Sequence, residues 1–256
     1  MRKFNIALQM IWRFFYHKHG NSIPKVVPYI PWPNHLPIIS EVDLRNVDLI
    51  PYVNPMREKL TVVLGMDRTL LHSSVLDPAC DYKDFEFDFI VCDEKNTCRF
   101  GIHIRPMLRL FLKYGAKHFD LVLFTDAEKN YARPVMNLVD PNGYIKQRYY
   151  RDSCIFLNDV VIKPIQHLGR SMSRIVYVES STVCMLTAPD NGIQVSSFFG
   201  DMTDKSVLQL MNILNHVQNL DDVRPFIIHT YHTRAHLVEI GFTPLDEPEG
   251  PFHSSC

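Results

Sequence analysis

The stretch KLTVVLGMDRTLLHSS, residues 59–74, decides how the rest of the chain is read. Its first half is a β-branched apolar run without polar alternation, the pattern of a strand covered on both faces. Its second half turns polar at once, in the region where open α/β sheets place their chemistry, beyond the carboxyl ends of the strands. The first residue after the run is Gly65, and the one acid in the loop is Asp67.

Downstream the chain alternates strand and helix patterns. FEFDFIVC and CRFGIHI, separated by DEKNT, read as a β-hairpin. RPMLRLFLKYGAK reads as an amphipathic helix with Pro106 in its first turn, and FDLVLFT as a second buried strand followed by a helix through EKNYARPVMNLV. RIVYVES and GIQVSSF give a third and a fourth strand, and TDKSVLQLMNILNHVQNL a long amphipathic helix capped by Thr203. Strands alternating with helices imply a parallel sheet with helices on both faces. Its functional edge falls at residues 65–69, at Thr125 and Asp126, and at residues 179–181.

The 256 residues, 46% of them hydrophobic and 21% charged, suffice for one sizeable core. A formal net charge of −1 supplies no global field for nucleic acid, so none is expected as a partner. The six cysteines lack CxxC spacing, which argues against a zinc site or a disulfide scaffold; Cys92 and Cys98, facing each other across the hairpin, are read as packing. Residues 1–40 contain no acid but carry Arg2, Lys3, Arg13, Lys18 and Lys25. On a helix, Phe4, Ala7, Leu8, Ile11, Trp12 and Phe15 share one side. The run is too short to span a bilayer and is interrupted by Arg13. Residues 3–16 are therefore expected to lie on a membrane surface. A mitochondrial presequence and a helix packed on the globular domain stay open as alternatives. Prolines at 24, 28, 31, 33, 37, 51 and 55 make the next segment an extended linker. The expected organisation is a basic amphipathic segment at 1–22, a Pro-rich linker at 23–58, a catalytic-type domain at 59–228 and a tail at 229–256.

Phosphoryl transfer at such a sheet edge would need one carboxylate to attack phosphorus, a second to move protons, a hydroxyl and a lysine to clamp phosphate, and Mg²⁺ to offset the crowded charge. VVLGMDRTLLHSS resembles the Asp-x-Asp-x-Thr signature of the haloacid dehalogenase superfamily, in the form used by carboxy-terminal-domain (CTD) phosphatases. IRPMLRLFL, FDLVLFTDAEKNYARPVMNLVDP, GYIKQRYYRDSCIF, VIKPIQHLGRSMSRIVYVESS and APDNGIQVSSFFGDMTDKSVLQL follow in that family's order. The resemblance implies a haloacid dehalogenase-like α/β fold with a β-hairpin insert. Within the family, IKQRYYRDSC and the basic, apolar start resemble the Dullard branch. That branch implies a protein serine/threonine phosphatase at the endoplasmic reticulum and nuclear envelope, acting on phosphoproteins of the lipin type or working with a regulatory membrane subunit. A mitochondrial inner-membrane translocase subunit shares the domain, and DDVRPFI resembles it, so that location is the alternative.

Carried over position by position, the resemblance makes Gly65 the replacement of the nucleophilic aspartate. Asp67 keeps the place of the general acid/base. Thr69, Thr125 and Lys163 keep the phosphate-binding positions, Lys163 counting as catalytic as well. Glu179 and Ser180 replace the Asp-Asn pair, whose Asn would bind magnesium. The implied reading is a pseudophosphatase in which Mg²⁺ binding is weakened or lost. Asp126, where the family has a small residue, is expected to cap the helix beginning at Ala127. The competing reading joins Asp126 to Asp67 and Glu179 in a rebuilt metal site, or makes it attack phosphorus itself. Three further groups draw attention. His229, His232 and His236 have helix-face spacing and are expected to be solvated, not zinc ligands. His72, Ser73 and Ser74 are adjacent in sequence, which is not triad geometry. Lys146, Arg148 and Arg151 in KQRYYR suit either acidic partners or a structural role.

Overall fold

A computed structural model describes residues 58–76, 85–92, 97–157 and 160–244. The amphipathic segment at 1–22 and nearly all of the Pro-rich linker lie outside the described residues. A five-stranded parallel sheet forms the centre. Strand β1 (Thr61–Leu64) lies between β5 (Asp120–Phe124) and β9 (Ile175–Glu179), with β6 (Gln147–Tyr149) and β10 (Gly192–Gln194) at the edges. All four residues of β1 are buried, as expected for a central strand with no polar alternation.

Alternate residues of β1 feed two cores. Val62 and Leu64 pack in a large cluster with α1 (Leu108–His118), α2 (Lys129–Val139) and α3 (Ser206–Val217), through Phe111, Leu112, Val135, Met136, Met211 and Leu214. Val63 enters a smaller cluster with Tyr177, Ile165, Met185 and Ala188. The second face is thus covered by short 3₁₀ turns and loops, where the strand–helix alternation had predicted α-helices.

Three further departures from the sequence reading have local causes. Strand β2 (Leu71–Val75) joins β3 (Phe87–Cys92) and β4 (Thr97–Ile104), so the expected hairpin is a three-stranded antiparallel insert, order β2-β4-β3. LHSSV carries no strand signal except at its ends. The β3–β4 register pairs Cys98 with Val91 and Cys92 with Thr97, so the two cysteines are not opposite one another. Helix α1 begins only after Pro106 and Met107, the latter with φ 66°. A second small ladder, β7 (Ile155–Leu157) with β8 (Val160–Ile162), precedes Lys163.

The packed fold continues past residue 228. Helix α4 (Arg224–Tyr231) crosses it, and α5 (Thr233–Glu239) follows, buried through Tyr231 and Leu237 and docked by the Thr233 hydroxyl on the Gly192 carbonyl at 3.1 Å. His232, at φ 50°, ends one helix and starts the next, so His229, His232 and His236 do not share one helix face.

Arg105 locks the loop after β1 to the rest. Fully buried, it donates from Nε and Nη2 to both Asp204 oxygens (2.9 and 2.8 Å), from Nη1 to the Thr69 carbonyl (2.8 Å) and from Nη2 to the Ser196 carbonyl (2.7 Å). Asp204 also accepts from the Ser206 amide at 2.8 Å, so it supplies the first-turn acceptor of α3 expected of Thr203, which bonds Asp201 instead. Arg105→Met should cost ~3–5 kcal/mol in urea unfolding, because it leaves a mostly buried carboxylate without its partner. Arg105→Lys, with one point donor in place of a planar fork, should recover only a part of that loss.

Candidate active site

The chain after β1 curls around a single carbonyl. The amides of Thr69, Leu70 and Leu71 all point to the Met66 oxygen (3.2, 2.8 and 3.3 Å), with Arg68 at φ 60° making the turn. The Gly65 amide still bonds the Val178 carbonyl at 2.9 Å, so Gly65 continues the β1–β9 ladder and stands beside Glu179. A Cβ built on Gly65 would lie 2.2 and 2.4 Å from the two carboxylate oxygens of Glu179 and 2.5 Å from its Cδ. Glu179 therefore fills the space that a side chain at 65 would take.

Glu179 is held there firmly. Its Oε1 accepts from the Thr69 hydroxyl (2.7 Å) and the Ser180 amide (3.1 Å), and its Oε2 from Lys163 Nζ (2.8 Å). Lys163 follows β8, is buried, and lies 3.3 Å from Asp126 Oδ1 on its other side. Burial alone would depress the lysine pKa, but the carboxylates of Glu179 and Asp126 outweigh it and hold the ammonium charged well above the usual range. Burial likewise pushes Asp126 up, but Lys163, a backbone amide and Arg151 together outweigh it and hold the Asp126 carboxyl below the usual carboxylate value.

Asp126 is not a helix cap. Helix α2 starts at Lys129 without a side-chain cap bond, and the Ala127 amide bonds the Thr125 hydroxyl at 3.1 Å. The lysine charge draws the Asp126 side chain into the site instead.

Asp67 sits in a cage of hydroxyls. The Tyr131 hydroxyl lies 2.9 Å from Asp67 Oδ1 and 2.7 Å from Ser73 Oγ, which itself donates to Oδ1 at 3.2 Å. Burial raises the Asp67 pKa from 3.8 to about 6 and the nearby Asp126 charge adds to it, against the lowering effect of Tyr131, Ser73 and Lys163. A carboxyl at that value can give or take a proton near neutrality.

The fold thus brings together Gly65, Thr69, Asp126, Lys163 and Glu179, with Asp67 near enough to feel the charges of Asp126 and Lys163. Ser180 takes part through its backbone amide, and Thr125 through its hydroxyl as acceptor for Ala127. Tyr131 and Ser73 are the site residues that sequence reasoning missed. Tyr131 is one of several aromatics on an amphipathic helix, and nothing in its spacing marks it. His72 and Ser74 bond each other at 3.1 Å, while Ser73 goes to Asp67, so the three form no triad. Arg148 is engaged by Asn137 and Asp140, and Arg151 by Glu128 and the Asp126 carbonyl, which accounts structurally for much of KQRYYR.

The donor set does not fit a divalent cation. Among the described residues no group of three or more His, Cys, Asp or Glu side chains is arranged to hold a metal ion. Glu179 has both oxygens committed, and Gly65 offers no side-chain oxygen. Asp67, Asp126 and Glu179 accordingly do not form the three-carboxylate site weighed from the sequence.

Residues 60–224 match the family of NLI interacting factor-like phosphatases. The chain belongs to that family. It is 33% identical over 171 residues to the CTD small phosphatase-like protein 2 of Dictyostelium discoideum, spanning 66% of this chain but only 29% of that relative's length. It is 27% identical over 239 residues to the CTD nuclear envelope phosphatase 1B of Danio rerio, covering 91% of this chain and 94% of the relative. The solved fission yeast RNA polymerase II CTD phosphatase Fcp1 superposes with a TM-score of 0.48 at 19% identity, over 77% of this chain and 57% of that one. Within this domain Gly65 and Glu179 form a packed pair.

Two outcomes follow for this phosphatase-like domain. Gly65→Ala should lose ~1–3 kcal/mol to overpacking, and Glu179→Asp, which withdraws the carboxylate by one methylene, should suppress much of that loss, read as non-additivity in a double-mutant cycle. Because the native Asp67 pKa lies above its unfolded value of 3.8, the native state binds more protons between pH 3.8 and about 6, and stability falls as pH rises through that window. Asp67→Asn should remove this slope and, above pH 6, gain ~1–2 kcal/mol, whereas an unchanged slope in urea titrations at pH 4 and pH 7 would refute the assignment.

Proposed function

We propose that this chain is a Dullard-like member of the phosphatase family in which phosphoryl transfer is impaired. In this reading it binds serine/threonine phosphoproteins or membrane partners without efficient turnover. One observation carries the reading: the space of the nucleophilic side chain is filled by the Glu179 carboxylate, over a glycine that cannot form an acyl phosphate. Loss of a covalent nucleophile costs on the order of 10⁴–10⁶ in rate. The likeness to the nuclear envelope phosphatase of Danio rerio along nearly the whole chain favours a place at the endoplasmic reticulum and nuclear envelope. The acid-free, basic segment 1–40 supports a membrane surface as the means of attachment. Among the described residues no helix is long and apolar enough to cross a membrane.

A second reading, an active phosphatase with relocated carboxylates, draws on Asp126. It is ionised, faces Lys163 and shares the site with an acid/base of pKa about 6; two carboxyls with pKa values pushed apart are the usual mark of divided roles.

Hydrolysis of an aryl phosphate separates the two. The natural protein should show no turnover above background with Mg²⁺. Gly65→Asp alone should stay inactive, since the new side chain meets Glu179, while Gly65→Asp/Glu179→Asp/Ser180→Asn should gain activity. Turnover by the natural protein that Asp126→Ala abolishes would overturn the first reading in favour of the second.

A further inference from the structure

We propose that Lys163 is the resident cation of this site. Its ammonium, fixed between Glu179 and Asp126, takes the place of a divalent ion, and the domain neither binds such an ion there nor depends on one for stability. The inference rests on the reading of an impaired transferase, but it concerns cation binding and not turnover.

Three observations support it. Nζ lies 2.8 Å from Glu179 Oε2 and 3.3 Å from Asp126 Oδ1, so one fixed positive charge already serves both carboxylates. The lysine side chain is only 2% exposed, so the ammonium is held inside the site and not at its surface. Magnesium requires near-octahedral oxygen ligands at about 2.0–2.1 Å and gives up its water reluctantly. Here the remaining Glu179 oxygen is taken by the Thr69 hydroxyl and the Ser180 amide, and Asp67 Oδ1 by Tyr131 and Ser73. A dication drawn to Glu179 or Asp126 would stand beside an ammonium of like charge in a place of low dielectric, where the repulsion is poorly screened.

The converse follows from the same geometry. Removing the ammonium leaves a hole with the carboxylates of Glu179 and Asp126 on its walls and that of Asp67 close by, a site that should then demand a cation.

The test uses the full chain, with MgCl₂ and Tb³⁺ as probes. For the natural protein the thermal midpoint should be the same in millimolar MgCl₂ and in EDTA, and Tb³⁺ should give no saturable luminescence from this site. Lys163→Ala should melt several degrees lower in EDTA and regain part of that loss in MgCl₂. Lys163→Ala/Glu179→Gln, with one carboxylate fewer, should gain little from the ion. A saturable Tb³⁺ signal in the natural protein that Asp126→Asn or Glu179→Gln abolishes overturns the proposal; a signal that survives both substitutions arises elsewhere and leaves it standing. A Lys163→Ala variant indifferent to MgCl₂ also overturns it. Should that variant not fold in EDTA, the titration of the natural protein decides alone. Metal-independent hydrolysis of an aryl phosphate by the natural protein would sink the impaired-transfer reading and leave this one intact.

Discussion

Lys163 and Glu179 form an ion pair of 2.8 Å in which both side chains are all but excluded from solvent. Taking two charges out of water costs several kcal/mol per ion, and such a pair persists only where hydrogen bonds satisfy what the partner leaves over. Glu179 meets that condition with two further donors, the Thr69 hydroxyl and the Ser180 amide, and Lys163 with a second carboxylate. The space for this arrangement exists because residue 65 has no side chain. Gly65 is thus a packing requirement of the pair. What looked in the sequence like a missing nucleophile is, in the fold, the condition for a buried carboxylate to sit at the top of the central strand.

The loop that carries Asp67 and Thr69 is fixed from two directions. The Thr69 hydroxyl reaches Glu179 on the sheet, and its carbonyl accepts from Arg105, whose guanidinium continues to Asp204 and Ser196 near the start of α3. These contacts are all supplied by the chain itself. In a site organised around a divalent ion, much of the orientation of such a loop comes from coordination. Here charge-assisted hydrogen bonds among buried side chains do the positioning.

The sheet was legible because β1, β5 and β9 are apolar without alternation, and strand ends can be located by where that run stops. The candidate residues were legible through their places after those ends and their likeness to a family. What could not be read was direction. Asp126 follows a strand end and precedes a helix, the setting of an N-cap, and only the neighbouring Lys163, thirty-odd residues on in sequence, turns it inward. Likewise Glu179 reads as a lengthened Asp until its register against Gly65 shows that the extra methylene carries the carboxylate into a neighbour's space. The second face of the sheet was misread for a related reason. Alternation of elements counts crossovers, but 3₁₀ turns cover a face as well as a helix when the connections are short. Tyr131 gave no sign at all, since an aromatic on an amphipathic helix has a core position as its ordinary meaning.

Asp67 has a structural part in the fold apart from any chemistry. Asp67 Oδ1 receives Ser73 from β2 and Tyr131 from α2, and so ties the antiparallel insert to a helix of the main sheet. Replacing it by an apolar residue would take the shared acceptor away from two largely enclosed hydroxyls, and an unsatisfied buried polar group costs ~1–3 kcal/mol. Against this stands the cost of a carboxylate whose pKa is lifted to about 6, a penalty felt only where it is ionised. The two terms are of similar size, so the cross-link offsets much of the cost of the buried charge, and an asparagine oxygen would keep the cross-link without that cost. At the neighbouring Gly65 the same economy of space holds, since Glu179 occupies the volume that any side chain there would need.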